Sequence, residues 1–299
     1  MRTAATTGLQ RPLGLARELY GVFKLRIGFA IALSALAGLA VTPGQAPAGW
    51  QVAVVALAVL LAAASAGALN HYLERDLDAR MLRTRNRPFV TGVFRAGPLW
   101  LAVILALLVV AVAGAALAVN PWVALYVFLG AFVYGVVYTV WLKRSTWLNI
   151  VLGGLSGSFA VLAGAAAVEP AIPPAPLLLA VVLFLWTPPH FWSLALRLRD
   201  QYAAAGVPML PVVIGNAAAA RVIFAHTVAL VGLSLLLPLF GAGWIYLSCA
   251  VLGGAFFVHA SWRLVRQPEP AAAARNFRAS LVQLGLLLLG AVLDGRLVG

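Results

Sequence analysis

Apolar runs of about twenty residues recur from one end of this chain to the other, and nothing constrains its fold more. A helix of that length crosses a hydrocarbon core about 30 Å thick. Within lipid, only helices and closed barrels satisfy every backbone N–H and C=O. Barrel strands alternate apolar and polar residues, and these runs do not. The chain is therefore expected to be an all-α, polytopic membrane protein. Nine spans are placed at about residues 27–42, 51–72, 98–119, 121–141, 148–168, 175–195, 219–240, 243–262 and 279–297. No soluble domain fits into the remaining loops, so residues 1–26 read as a cytoplasmic N-terminal segment and 27–299 as one transmembrane domain. The basic, acid-poor leader invites comparison with a signal or transit peptide. It is longer than the usual signal leader, and a retained first span is expected.

Charge then tests the count. Only 10% of the 299 residues are charged, with 21 Lys+Arg against 8 Asp+Glu. With the N-terminus in the cytoplasm, nine spans put Arg2 to Arg26, Arg75 to Arg95, Lys143 and Arg144, Arg197 to Arg221, and Arg263 to Arg278 all inside. That is 20 of 21, Arg296 alone lying outside, as the positive-inside rule requires. The net charge of +13 is thereby accounted for by topology, with membrane lipid as its partner and no call for nucleic acid. The single Cys249 lies in the eighth span and permits no intramolecular disulfide or Cys-pair metal site. The richest inner loops follow spans two and six. An offset of four spans preserves orientation, so two parallel four-helix halves plus a final helix around a central cavity are expected. Gly153-x-x-x-Gly157, within LGGLSGSFAVLAG, suits close helix packing.

The loop after span two concentrates the rare ions: ALNHYLERDLDARMLRTRNRPFV, residues 68–90, holds three acids and five arginines. Asn70, Glu74 and Asp78 recur every four residues, drifting by about 40° per step, so a helix continuing from span two puts all three on one face. Asp76 lies about 200° from both acids and needs a bend or a separate role. Two carboxylates and an amide oxygen form a hard-oxygen surface suited to Mg²⁺, completed by water and substrate phosphates. A solvated helix end laced with ion pairs is the plainer alternative. Against it, Asn70 sits inside an apolar run, where polar groups are expensive. Arg83, Arg85, Asn86 and Arg87 follow at once, and Pro88 is expected to stop the helix. Acids for a metal beside arginines for an anion suggest a metal–phosphate site, although inner-loop arginines alone satisfy topology.

The second dense stretch is WTPPHFWSLALRLRDQYAAAGVPMLPVV, residues 186–213. Pro188 and Pro189 remove backbone donors where neighbours or water can compensate. His190 lies within an apolar span and is followed by Arg197, Arg199 and Asp200. A lone intramembrane His is often simply bonded to a neighbouring helix, and Phe191 and Trp192 equally suit interfacial anchors.

NHYLERDLDARMLRTRNRP resembles the N-x-x-x-D-x-x-x-D signature and R-T-x-N-R-P tail of the UbiA-type intramembrane prenyltransferases, with Glu74 where the family usually has Asp. W-x-x-P-H-F-W, R-D-x-Y and A-A-G-V-P-M-L-P-V resemble the haem-farnesylating branch of that family. So does Tyr138-Thr139 with Leu142-Lys143-Arg144, Thr146 and Asn149. Other branches usually carry a D-x-x-x-D pair in the second loop. Here Asp200 stands alone, and Gln201 occupies a position commonly Asp or Glu. Phe23-Lys24-Leu25-Arg26 is similar to a common K-P-R, with Leu25 replacing Pro.

The resemblance implies Mg²⁺-dependent transfer of a farnesyl group from farnesyl diphosphate to the vinyl group of haem b, giving haem O, in a bacterial inner membrane with the active-site loops cytoplasmic. It implies that Asn70, Glu74, Asp78 and Asp200 hold Mg²⁺, and that Arg83, Arg87, Lys143, Arg144 and Arg199 grip the diphosphate. Tyr138 would stabilise the allylic cation. His190 would contact haem, as iron ligand or through a propionate. Contact with haem-copper oxidase assembly or haem A synthase is a further implication. A quinone precursor such as 4-hydroxybenzoate is the alternative acceptor. A secondary transporter of an organic anion is the alternative class, and it predicts charge at the bilayer midplane.

Overall fold

A computed structural model describes residues 7–297, with side chains over residues 14–295. Arg2 and the side chains of Arg11 and Arg296, counted above, lie outside the described residues.

All regular structure among the described residues is helical. Helix α1 (Thr7–Val22) meets α2 (Leu25–Ala40) at a bend of 48°. Then come α3 (Gly49–Leu73), α4 (Arg75–Ala79), α5 (Pro88–Thr91), α6 (Pro98–Ala118) and α7 (Pro121–Phe132), which runs on as π-helical turns over Val133–Leu142. Helices α8 (Asn149–Gly153), α9 (Leu155–Ala166), α10 (Pro174–Arg197), α11 (Arg199–Ala204) and α12 (Leu210–Ile214) follow. The chain ends with α13 (Asn216–Ser234), α14 (Trp244–Arg266) and α15 (Pro270–Leu297). Among the described residues, eight helices or continuous pairs are long and apolar enough to cross a membrane, and the bent α1–α2 pair makes nine. The protein is an integral, multi-pass membrane protein.

Proline sets several boundaries, because it lacks only a donor that the first helical turn leaves unpaired anyway. It opens α5, α6, α7 and α10. This corrects the expectation at Pro88. The helix carrying the acids stops at Ala79, the chain turns through residues 80–87, and Pro88 begins the next helix. The Thr84 hydroxyl closes that turn by donating to the Asp78 carbonyl at 3.0 Å.

Successive spans pack side by side. Helices α2, α3, α6 and α7 form one consecutive set, and α8–α9, α10, α13 and α14 form a second. Helix α7 packs on α9, α9 on α10, and α15 closes the bundle against α14, α10 and α2. The two sets also meet where α2 lies directly on α9. Two glycines permit that crossing: a Cβ on Gly164 would lie 1.8 Å from the Ala35 carbonyl oxygen, and one on Gly38 would lie 2.1 Å from that of Val161. Gly153-x-x-x-Gly157 is not this seam. The break at Gly154 separates α8 from α9, so the four-residue spacing no longer defines one face. Gly153 faces Tyr138, whereas nothing lies within 4 Å of a Cβ on Gly157.

At the end of the bundle where the ionic loops gather, Leu77 and Met81 share one apolar core with Tyr202, Val207, Met209 and Leu210. Each such side chain contributes about 1.5–3 kcal/mol when fully removed from water. The two loops, far apart in the chain, are thereby held together.

Candidate active site

Helix α3 ends at Leu73, and Glu74 occupies the junction with α4. The i→i−4 bonds persist through it, Glu74 N to Asn70 O at 3.0 Å and Asp78 N to Glu74 O at 2.8 Å. Asn70, Glu74 and Asp78 therefore stay in register and are all buried. Each meets one cation from a different part of the chain. The Lys24 ammonium donates to Asn70 Oδ1 at 2.5 Å, Lys143 to Glu74 Oε2 at 2.5 Å, and Arg87 to Asp78 Oδ2 at 2.7 Å. The other oxygen of Glu74 is buried without a hydrogen-bond partner, in a setting where bare acceptors are rare. Two carboxylates and an amide oxygen fit Mg²⁺, which takes its remaining ligands from water and phosphate. Among the described residues no cluster of three or more His, Cys, Asp and Glu occurs.

Asp76 has the separate role that its angle demanded. It is half-exposed and accepts both arms of the Arg144 guanidinium, at 2.7 and 2.8 Å. That fork holds the Asp76 carboxyl below the usual carboxylate range. Arg144, expected to grip diphosphate, thus faces a surface acid instead. The adjacent Lys143 turns inward to Glu74, and burial pushes its ammonium below the ordinary range even there.

The π-helical turns carry Tyr134, Tyr138, Thr139 and lead into Lys143. Such turns are uncommon and gather at functional sites. The rings of Tyr134 and Tyr138 stack at 5.5 Å. Lys24 lies 5.3 Å from the first ring centroid and Lys143 5.8 Å from the second. Thr139 accepts from the Asn70 amide at 3.2 Å, and the Tyr134 hydroxyl accepts from Lys24 at 2.7 Å. Lys24, Tyr134 and Thr139 were not singled out for roles from the sequence. The K-P-R resemblance flagged the place of Lys24, while the tyrosine register depends on the π-turns.

Beside this cluster is a pocket of about 340 Å³ lined by Lys24, Arg26, Arg83 and Arg87, with Tyr20, His71 and Thr84 among its other walls and no carboxylate. Its chemistry suits an anion with several charges. The second loop contributes differently from expectation. Arg199 and Asp200 are exposed, and the Arg199 Nε donates to the Pro211 carbonyl at 3.0 Å. Helix α10 stops at Arg197, and the break at Leu198 turns Asp200 outward. Gln201 reaches the first loop, its amide oxygen 3.4 Å from the backbone N–H of Arg83.

His190 is buried between the Trp186 ring at 4.3 Å and the Phe277 ring at 4.4 Å, both nearly parallel to it. Its Nδ1 lies 2.7 Å from Ser280 Oγ, and that hydroxyl donates to the Phe277 carbonyl at 2.7 Å. A hydroxyl has one hydrogen, so Ser280 accepts from His190. In the neutral ring that bond puts the proton on Nδ1 and leaves the lone pair on Nε2.

The UbiA prenyltransferase family model matches residues 31–285. The chain belongs to the UbiA prenyltransferase family. It is an enzyme, a prenyltransferase. A relative in Paramagnetospirillum magneticum, protoheme IX farnesyltransferase 2, is 62% identical over 95% of this chain and 98% of its own length. Protoheme IX farnesyltransferase 1 of the same organism is 45% identical over 93% and 98%. Among solved structures, a digeranylgeranylglyceryl phosphate synthase aligns with a TM-score of 0.76 at 15% identity, covering 94% of this chain and 98% of that one. A UbiA homologue from Archaeoglobus fulgidus bound to GPP and Mg²⁺ aligns with a TM-score of 0.68 at 16% identity, over 92% and 99%. At such identities the two structures show the shared fold.

Proposed function

We propose that this prenyltransferase moves a farnesyl group from farnesyl diphosphate to a vinyl carbon of haem b, from the cytoplasmic face of the membrane, with water addition completing the hydroxyethylfarnesyl product. The observation that carries the donor half is the buried row Asn70, Glu74 and Asp78 beside a pocket walled by cations. The acceptor half rests on the near full-length similarity to protoheme IX farnesyltransferase 2. Bound Mg²⁺, held by Asn70, Glu74 and Asp78, would neutralise charge on the departing diphosphate. Arg83, Arg87 and Lys143 orient the diphosphate and stabilise the charge that grows as the allylic C–O bond breaks. The Tyr138 ring offers its negative face to the resulting cation, and the surrounding helices keep water from it.

His190 would serve the acceptor. The ring is stacked by Trp186 and Phe277, so a ligand would meet it at the edge, where Nε2 would carry the lone pair that haem iron requires. Ser280 fixes that tautomer in the way that outer partners usually orient a ligating imidazole. This favours the iron-ligand role over a propionate contact. Arg144, Arg199 and Asp200 take no direct part in this scheme.

Mass spectrometry of haems extracted from cells expressing the chain tests the reading. The farnesylated product is expected with the native protein and is lost with a folded Asp78→Asn variant. Unmodified haem b alone, together with prenylation of 4-hydroxybenzoate in detergent, would assign a different acceptor.

A further inference from the structure

Lys24 has no part in the scheme above. It is the only residue other than glycine with positive φ among the described residues, at 48°, and it stands where α1 bends into α2. Its stem lies along α3 at Gly67, where a Cβ would approach the Lys24 side chain to 3.3 Å. Its ammonium ends on Asn70 Oδ1 at 2.5 Å and the Tyr134 hydroxyl at 2.7 Å. Glu74, Asp78, Arg87 and Lys143 all lie within its Coulombic reach. Lys24 also lines the cationic pocket.

A cation bonded to Asn70 Oδ1 occupies the position that a metal would take on that oxygen. We propose that Lys24 is a built-in competitor for the Asn70 ligand position, released when the divalent cation enters and then free to pair with diphosphate in the pocket it lines. The inference rests on the metal-binding reading given above. Asn70 is the neutral member of the ligand row, so it holds a metal least strongly and is the easiest to cap with a lysine. Tyr134 is the second tether, and it keeps the ammonium at Asn70 instead of letting it sample the pocket. Two cations held on one neutral amide oxygen repel each other at that separation, so occupancy by one weakens the other, and the coupling is reciprocal.

Mn²⁺ binding to the purified full chain, followed by electron paramagnetic resonance without substrate, tests this directly. Lys24→Met keeps an unbranched stem and removes the ammonium, and it should tighten Mn²⁺ binding by about fivefold or more. Tyr134→Phe leaves every charge in place and removes one tether. It should tighten binding in the same direction by a smaller factor, which plain loss of charge does not predict. In an Asn70→Ala background, the Lys24→Met effect should fall below about twofold, as coupling through one shared oxygen requires. Persistence of the full effect without Asn70 would reduce Lys24 to a general repulsive charge and overturn the proposal. So would Mn²⁺ affinities in Lys24→Met and Tyr134→Phe equal to wild type, with the metal-site reading left intact. Absence of Mn²⁺ binding in every variant and in wild type would overturn that underlying reading as well.

Discussion

Lys143 and Arg144 are neighbours in sequence, and their ion pairs differ enough to make one decisive experiment. Lys143 meets Glu74, whose side chain is 2% exposed, whereas Arg144 and Asp76 are 46% and 50% exposed. Lys143→Met leaves a buried carboxylate with one oxygen newly unpaired and the other already without a partner. Breaking a buried pair in this way costs about 3–5 kcal/mol. Arg144→Met removes a surface pair worth about 0–1 kcal/mol despite its two-armed geometry. Equilibrium unfolding in mixed micelles, read by tryptophan fluorescence, should separate the two variants by about 3 kcal/mol. Adding Glu74→Gln to Lys143→Met removes the stranded charge and should recover most of the loss. If Lys143→Met costs no more than Arg144→Met, Glu74 is not buried with Lys143 as its sole cap, and the arrangement of the ligand row is wrong.

In a Cys249→Ala background, cysteines at positions 92 and 204 should be labelled only from the cytoplasmic side and one at 46 only from outside; labelling of 92 and 204 on opposite faces would break the placement of both loops. Gly164→Val forces side-chain atoms onto the Ala35 carbonyl and should cost more than about 3 kcal/mol, beyond ordinary overpacking, while Gly157→Ala, facing open space, should change unfolding by about 0.5 kcal/mol or less. Asp294 accepts from Gly243, Ile245 and Tyr246 N–H groups at the start of α14, so Asp294→Ala should lose about 1–2 kcal/mol, as for loss of a strong N-cap. The Asp76 carboxyl is held below its ordinary range by Arg144, so its contribution is present above about pH 4 and fades as pH falls through the lowered folded value. The small stability gap between wild type and Arg144→Met should therefore close on acidification, and a gap constant from about pH 6 to about pH 2 would refute that origin.

Much of the fold was legible because one physical demand dominates it. A chain in lipid must satisfy its backbone within each span, so length and apolarity alone locate helices such as α6 and α14. The four-residue spacing of Asn70, Glu74 and Asp78 survived the junction at Glu74 because the i→i−4 bonds continue through it. What stayed hidden depends on departures from the regular helix. The π-turns over Val133–Leu142 place Tyr134 over Tyr138 and aim Lys143 inward while Arg144 points to solvent, and no periodicity announces them. The left-handed turn at Lys24 puts an N-terminal lysine on Asn70, a contact 46 residues apart that no local pattern carries. Close packing was expected along the glycines from Gly153 to Gly164 and occurs at Gly164, but that it meets Ala35 of α2, with Gly38 against Val161, is a long-range contact that no local pattern carries.

The second loop shows why a long match to a family block need not be a block of ligands. Ala204 to Val212 matches over nine residues, yet Ala205, Val207, Met209 and Leu210 are buried in the core that also takes Leu77 and Met81 from the first loop. Asp200, the acid expected to coordinate metal, is exposed at the start of α11. Gln201, the residue that departs from the acidic pattern, does reach the first loop, accepting from the Arg83 backbone N–H. An amide oxygen can accept that hydrogen without placing a further negative charge near Glu74 and Asp78. The loop thus acts as an apolar clamp that holds α4 and the turn behind it in place, and the cations Arg83 and Arg87 at the pocket wall owe their position to it. On the proposed function, metal and diphosphate chemistry would depend on the first half of the molecule, with the second half supplying the clamp and the buried His190.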